Sequence, residues 1–190
     1  MAGLRSVGSK YVKEGVLDIR LRILFLIAGL VILYGLRPWI AQSNYNRAMA
    51  FLSKGDFSKA ERQLKKAIFI FPKFVIAYNT LGILYQEMGR EKEALYIYRK
   101  SFQICPDNSQ GYLDLAIYYF IKKNNYEEAI KWFKKAIETD RKNWMAYRYL
   151  GICLEKSGLK KDALRTYRYM KEIFPQDKRI DKFIEKLNTE

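Results

Sequence analysis

The stretch VIAYNTLGILYQEMGREKEALYIYRKSFQICPDN, residues 75–108, decides the fold, because its pattern returns in WMAYRYLGICLEKSGLKKDALRTYRYMKEIFPQD, residues 144–177. Four alanines mark successive copies at spacings of 34, 35 and 34 residues: Ala60, Ala94, Ala129 and Ala163. Twelve positions after them stand Pro72, Pro106, Arg141 and Pro175. A period of this length predicts a stack of helical hairpins, and such stacks bind other proteins.

Each copy predicts a helix A, a turn and a helix B. Small residues let the two helices approach closely, as Gly82 and Ala94 would in the second copy. A glycine such as Gly89 permits the left-handed backbone that ends helix A, and a proline ends helix B. The third copy replaces the glycine turn with Asn124-Asn125, and asparagine tolerates the same geometry.

The recurring residues resemble the tetratricopeptide repeat family, whose pattern runs W/Y, L, G, Y, G, A, F/Y and P. The second copy supplies Tyr78, Leu81, Gly82, Tyr85, Gly89, Ala94, Tyr98 and Pro106. The fourth supplies Tyr147, Leu150, Gly151, Leu154, Gly158, Ala163, Tyr167 and Pro175. The resemblance covers residues 41–177 and implies an all-α fold, a right-handed α-solenoid of four hairpins.

The division of the chain follows from the same register. After the last copy, Ile180, Phe183, Ile184 and Leu187 have helical spacing and predict a helix that caps the stack. The predicted segments are a basic leader (1–19), a transmembrane anchor helix (20–40), four repeat units (41–74, 75–108, 109–143 and 144–177) and the C-terminal capping helix (178–190).

The N-terminal apolar segment has 14 uncharged residues between Arg22 and Arg37. A helix of that length covers about 21 Å, so its flanks must extend it to span a hydrocarbon core of about 30 Å. Arginine stems lie along such a helix with their charges at the head groups, and Tyr34 and Trp39 suit the interface. A retained anchor is favoured. A cleaved secretion signal ending near Ala41 and a buried core helix stay open.

The predicted orientation rests on basic residues beside the anchor. Four lie on the N-terminal side (Lys10, Lys13, Arg20 and Arg22) and three on the other (Arg37, Arg47 and Lys54). The rule that positive flanks stay inside places the N-terminus in the cytoplasm and the repeats on the opposite, extracytoplasmic side. The leader residues Val12, Val16 and Ile19 have helical spacing and predict an extension of the helix or a segment lying on the membrane surface.

Composition narrows the function classes. The chain has 190 residues and no histidine, which removes the commonest general base and metal ligand. Cys105 and Cys153 lack metal-ligand spacing and are expected to be free thiols. No nucleophile–base pair or phosphate-binding loop appears, so we expect a protein that is not an enzyme, with no catalytic residue, cofactor or metal.

The candidate partner-binding groove lies along the helices A, which line the concave side of such a stack. The predicted groove residues are Tyr45, Met49, Leu52, Ile76, Asn79, Ile83, Gln86, Leu113, Ile117, Phe120, Met145, Arg148, Ile152 and Glu155. Most are apolar, and contiguous exposed apolar surface marks interaction sites. Asn79 and Arg148 are expected to anchor a peptide backbone or carboxylate. The lysine/asparagine clamp by which some family members hold acidic C-terminal peptides is missing, because Thr80 and Asp114 stand at its positions.

The helices B carry much of the net charge of +15. Their basic residues are Lys65, Lys66, Arg99, Lys100, Lys131, Lys134, Lys135, Lys161, Arg165 and Arg168. A solvated convex face explains them most simply, and contact with anionic lipid comes next. Nucleic acid is not expected as a partner, because the aromatic residues occupy core positions and cannot serve as stacking platforms.

The sequence therefore predicts a membrane-anchored scaffold or assembly subunit. It would bind a protein partner through its groove and tether it to a membrane protein complex, with residues 20–40 in lipid. A receptor for a peptide signal and a secreted soluble adaptor are the alternatives, and homo-oligomerisation stays open.

Overall fold

The computed structural model describes the backbone of residues 3–189 and the side chains of residues 22–189. Within that range the chain forms nine helices and no strand. They are α1 (Gly3–Leu52), α2 (Phe57–Ile70), α3 (Val75–Glu87), α4 (Glu91–Ile104), α5 (Ser109–Ile121), α6 (Tyr126–Thr139), α7 (Trp144–Lys156), α8 (Lys160–Ile173) and α9 (Lys178–Thr189). Each helix packs mainly against its neighbours in sequence. This serial packing confirms the all-α solenoid of helical hairpins.

Helix α1 is one helix of 50 residues, where the sequence predicted an anchor and a separate first helix A. The predicted boundary between residues 40 and 41 lies inside it. Pro38 has no N–H to donate to the carbonyl of Tyr34, yet its fixed φ is compatible with a helix. The part of the helix that follows Pro38 is stabilised by packing, because Ala41 and Ala48 are fully buried in the core that α1 shares with α2.

The one described segment that is long and apolar enough to cross a membrane is Arg22–Leu52 of α1. Between Ile23 and Ile40 its large apolar side chains are exposed all round the helix, with Phe25 at 76% and Leu26 at 68%. None of its most apolar window is buried against the solenoid, so the expectation of a buried core helix is wrong. The backbone of the leader continues the helix from Gly3. The side chains of Val12, Val16 and Ile19 lie outside the residues described.

Close contact between paired helices depends on two glycines, as predicted. A Cβ added at Gly82 would lie 2.8 Å from the ring of Tyr98, and one added at Gly151 would overlap the ring of Tyr167. Both rings are fully buried. The missing side chain on each helix A therefore makes room for a tyrosine from its helix B.

The turns after helices A have the predicted left-handed backbone. The φ angles are 72° at Gly55, 70° at Gly89 and 77° at Gly158. In the third unit Asn124 takes this conformation with φ 48°, and Asn125 then caps α6 by accepting a hydrogen bond from the Glu128 backbone N–H. The asparagine pair thus replaces the glycine turn and begins the next helix.

The buried apolar residues form two clusters along the solenoid. One extends from Ala41 to Ala94 and the other from Tyr112 to Leu187. The second includes α9, whose Ile180 and Leu187 are buried, so this helix caps the stack as predicted. Cys153 lies in the second cluster and Cys105 follows α4, and both are free thiols as expected. Burial raises the pKa of the Cys153 thiol to about 11, which keeps it protonated.

Candidate functional site

The outward-facing positions of the helices A form a regular stripe in every unit. In α3 this stripe is Ile76, Thr80, Ile83 and Glu87, and in α5 it is Gln110, Asp114, Ile117 and Ile121. The corresponding residues are Gln42, Asn46 and Met49 in α1 with Ser53 in the turn after it, and Met145, Tyr149, Ile152 and Lys156 in α7. All are exposed or half-buried. The spacing i, i+4, i+7, i+11 keeps them on one helix face.

A row of aliphatic side chains follows from this register. The third position of the stripe is apolar in each unit: Met49, Ile83, Ile117 and Ile152. Ile83 is 40% and Met49 is 44% exposed. All four were predicted groove residues. We call these four residues the aliphatic row.

A cleft between α3 and α5 contains the middle of the aliphatic row. Its volume is about 260 Å³, and its lining includes Ile83, Ile117 and Ile121 on the apolar side. The Lys122 ammonium lies 3.5 Å from the Glu87 carboxylate and closes one edge. The cleft can therefore take an apolar side chain and surround it with charged groups.

Asp114 lines this cleft together with Glu87 and Lys122. Its carboxylate accepts a hydrogen bond of 2.7 Å from the Gln110 side-chain amide. Burial raises the pKa of Asp114 to about 6, although the bond from Gln110 opposes the rise. Neither Asp114 nor Ile121 was among the predicted groove residues. Asp114 and Ile121 stand 34 residues after Thr80 and Glu87, so the repeat spacing places them on the same outward face of helix A and could have identified them.

The predicted groove residues fall into three classes of exposure. The exposed residues are Met49, Ile76, Ile83 and Met145. The half-buried residues are Tyr45, Leu52, Gln86, Ile117, Arg148, Ile152 and Glu155. The buried residues are Asn79, Leu113 and Phe120.

The prediction of Leu113 and Phe120 as groove residues is wrong. They are 4% and 8% exposed and belong to the C-terminal apolar cluster. The ring of Phe120 packs edge-on against Phe133 at 6.4 Å between centroids. Successive residues of a helix are about 100° apart, so positions next to the outward stripe point into the core. The predicted stripe mixed these two faces.

Asn79 is also misassigned, because it holds helices together. It is 7% exposed and forms a reciprocal amide pair with Asn108, at 3.1 Å and 2.7 Å. Its Oδ1 further accepts a hydrogen bond of 3.0 Å from the Ser101 hydroxyl. The Asn108 Oδ1 in turn caps α5 by accepting from the Gly111 N–H. This buried network joins α3, α4 and α5 and leaves no amide of Asn79 for a peptide.

Two charged groove residues of α7 have partners within the chain. The Arg148 guanidinium lies over the rings of Trp144 and Tyr149, at 5.8 Å and 5.6 Å from their centroids. The Glu155 carboxylate accepts from the Tyr167 hydroxyl at 2.6 Å and from the Lys186 ammonium of α9 at 2.9 Å. Glu155 therefore ties the capping helix to the last hairpin. The role of Arg148 as a peptide anchor stays a prediction.

The ten basic side chains named above on the helices B (α2, α4, α6 and α8) are all exposed, as predicted. Several are paired with acids one turn away on the same helix, such as Lys65 with Glu61 at 2.6 Å. Such pairs suit a solvated face and contribute little to stability.

Models of the tetratricopeptide repeat match this chain at residues 41–74, 75–142 and 113–178. The chain is 30% identical to the protein CTR9 homolog of Arabidopsis thaliana over 142 residues, which cover 69% of this chain and 12% of that protein. It is 31% identical over 84 residues to the TPR repeat-containing protein MJ1428 of Methanocaldococcus jannaschii, covering 44% and 14%. The chain thus spans a small part of these curated relatives.

Several solved structures share the fold. The MamA protein is 23% identical, with a TM-score of 0.61 and coverage of 78% of this chain and 80% of that one. The pilF protein of Pseudomonas aeruginosa is 18% identical, with a TM-score of 0.64 and coverage of 80% and 68%. PilW, a type IV pilus biogenesis factor, is 20% identical, with a TM-score of 0.61 and coverage of 79% and 69%. At these identities the likeness establishes the architecture.

Proposed function

Residues 41–178 belong to the tetratricopeptide repeat family, and on that premise we propose that the chain is a membrane-anchored scaffold or assembly subunit. Its solenoid binds a partner protein through the concave groove, and α1 holds that partner at a membrane complex. The proposal assigns binding rather than catalysis to the chain. A tether raises the local concentration of a bound partner without any new contact.

The observation that carries the proposal is the aliphatic row. An isoleucine or methionine that is exposed or half-buried stands in the same place in every unit, at the apolar position of the outward stripe. Exposing such residues to water has a free-energy cost that a docked chain removes. The row is therefore best explained as a surface that another polypeptide covers.

The cleft indicates the chemistry of the partner. A helix or an extended segment with an aliphatic side chain fits between Ile83 and Ile117. A hydrogen-bond donor beside that side chain meets the Asp114 carboxyl. The missing clamp argues against a partner recognised by its C-terminal carboxylate.

The membrane tether is supported by the way α1 enters the solenoid. Ala41, at the predicted signal-cleavage site, is fully buried and lies within the helix, which continues to Leu52. Cleavage there would also remove Arg37, whose Nε donates a hydrogen bond of 2.6 Å to the Ile70 carbonyl of α2. These contacts favour a retained anchor over a secreted adaptor. We propose the orientation given by the flanking charges, with the solenoid on the extracytoplasmic side.

An assembly role also agrees with the role of PilW as a type IV pilus biogenesis factor. That likeness concerns the fold, and it selects no particular machinery for this chain.

The test is crosslinking and affinity purification of the full chain from detergent-solubilised membranes. The variant Ile83→Asp/Ile117→Asp places two carboxylates in the cleft, so we expect it to lose the partner that the wild type retains. The control Tyr96→Asp/Tyr169→Asp changes two exposed aromatic residues on helices B and should retain it. Circular dichroism establishes that both variants are folded. Retention of every partner by the cleft variant would contradict the groove.

A further inference from the structure

We propose that the C-terminal end of α2 and the turn that follows it, residues 66–74, form a second membrane contact that docks on anionic lipid head groups. This inference rests on the proposed anchor. It adds a surface outside the anchor, and it fixes how the solenoid stands on the bilayer.

The level of this surface follows from helix lengths. A short turn joins α1 to α2, and the Arg37 side chain reaches the last carbonyl of α2, so α2 returns alongside α1. The distance from Arg37 to Leu52 along α1 is about 22 Å, and α2 is about 20 Å long. Ile70 is therefore level with Arg37, where the uncharged segment 23–36 ends. The turn after Ile70 lies at the membrane surface if that segment is in lipid.

The side chains at this level suit the interface. Phe69 is 83% exposed, the highest exposure of the large apolar residues in the described side chains. Trp39 on α1 is 76% exposed at the same level. Aromatic rings are favoured in the head-group region, where one side meets acyl chains and the other meets water. An exposed phenylalanine at the end of α2 has no role inside the solenoid.

Basic residues lie on both sides of Phe69 along the chain, where they can attract anionic lipid head groups. Arg62, Lys66 and Phe69 lie at i, i+4 and i+7 on one outward face of α2, and Lys73 follows in the turn. All four are exposed. Each lysine or arginine near an anionic surface adds attraction that weakens with ionic strength. The apolar ring and the cations thus match the two layers of a lipid interface.

The experiment uses the full chain with Cys105→Ser and Cys153→Ala, reconstituted in vesicles of equal parts phosphatidylcholine and phosphatidylglycerol. An environment-sensitive fluorophore is placed singly at Phe69→Cys, at Phe57→Cys and at Phe25→Cys. Phe57 is also exposed but lies at the other end of α2, about 18 Å farther from the bilayer. Lipids brominated on their acyl chains quench a label that contacts them.

We expect strong quenching at position 25, several-fold more quenching at 69 than at 57, and a loss of that excess in Lys66→Glu/Lys73→Glu. Quenching at 25 with equal signals at 69 and 57 would overturn the docking surface and leave the anchor in place. Absence of quenching at 25 would overturn the anchor and the docking surface together. Excess quenching at 69 that survives the lysine changes would overturn the assignment of the lysines to head groups.

Discussion

The two halves of α1 place similar apolar residues in opposite environments. Before Arg37, Phe25 and Leu26 point into open space, whereas beyond Pro38 the small residues Ala41 and Ala48 are fully buried against α2. A helix that is apolar all round needs a surrounding apolar medium, while one with an apolar stripe needs a neighbouring helix. One continuous helix thus carries both distributions of apolar residues, on all sides before Arg37 and as a buried stripe after Pro38.

The largest expected effect separates the solenoid from the part of α1 before Arg37 through two phenylalanines. Phe133 is fully buried in α6 of the solenoid, whereas Phe25 is 76% exposed on the proposed anchor. Phe133→Ala leaves a cavity and should lower the free energy of unfolding of the solenoid by about 3–5 kcal/mol. Phe25→Ala should leave that free energy unchanged, as measured by denaturant unfolding in detergent. Equal losses in the two variants would mean that the anchor is part of the folded core.

A second comparison uses two glycines. A Cβ at Gly151 would overlap the buried Tyr167 ring, whereas one at Gly35 meets no atom within 4 Å. Gly151→Ala forces the ring to shift and should lower the free energy of unfolding by about 1–3 kcal/mol. Gly35→Ala should leave it unchanged. A solenoid that unfolds at the same denaturant concentration with alanine at position 151 would contradict the close contact of α7 and α8.

A third comparison uses pH, because residues 22–40 contain no carboxylate and the solenoid contains Asp114. The pKa of Asp114 is raised to about 6, so the folded state holds its proton more tightly than the unfolded state does. Ionisation of Asp114 therefore lowers the free energy of unfolding. This loss is absent at low pH, grows as pH rises from about 4, and is complete above about 6. Because the carboxyl is partly open to the groove, we expect about 1–2 kcal/mol.

The matched variant for that comparison is Asp114→Asn. Its free energy of unfolding should equal that of the wild type near pH 4 and exceed it at neutral pH. Curves that stay parallel across this range would show that Asp114 is as solvated in the folded chain as in the unfolded one.

The smallest expected effect concerns the joint between the halves. Arg37 donates one partly buried hydrogen bond to the Ile70 carbonyl, so Arg37→Ala should lower the free energy of unfolding by about 1 kcal/mol. Hydrogen exchange should increase at the C-terminal end of α2 and remain unchanged in α9. Faster exchange throughout the solenoid would mean that Arg37 supports more than this joint.

The solenoid was predictable from the sequence because its repeat fixes which residues must be small. Gly82, Gly151 and the turn residues are set by contacts that recur every 34 or 35 positions, so one copy explains the others. The groove was harder to predict. Asn79 and Ile83 both read as positions on helix A, and only the packing of α4 and α5 shows that the first is buried.

The continuity of α1 was not predictable from local signals. Pro38 and the charge at Arg37 mark a boundary by the usual rules for helix ends. The helix nevertheless continues through this point, where Arg37 donates a hydrogen bond to the carbonyl of Ile70 in α2, 33 positions later in the chain. A contact over that distance leaves no trace in a short window of sequence.

We propose that α1 is one helix shared by a bilayer and a repeat solenoid. Hydrogen-exchange mass spectrometry of the full chain in lipid nanodiscs tests this through the amides between residues 34 and 48. We expect slow exchange across this whole stretch, with no break between the proposed anchor and the part packed on α2. Fast exchange confined to residues 38–43, between two slow segments, would reveal a hinge and contradict the shared helix.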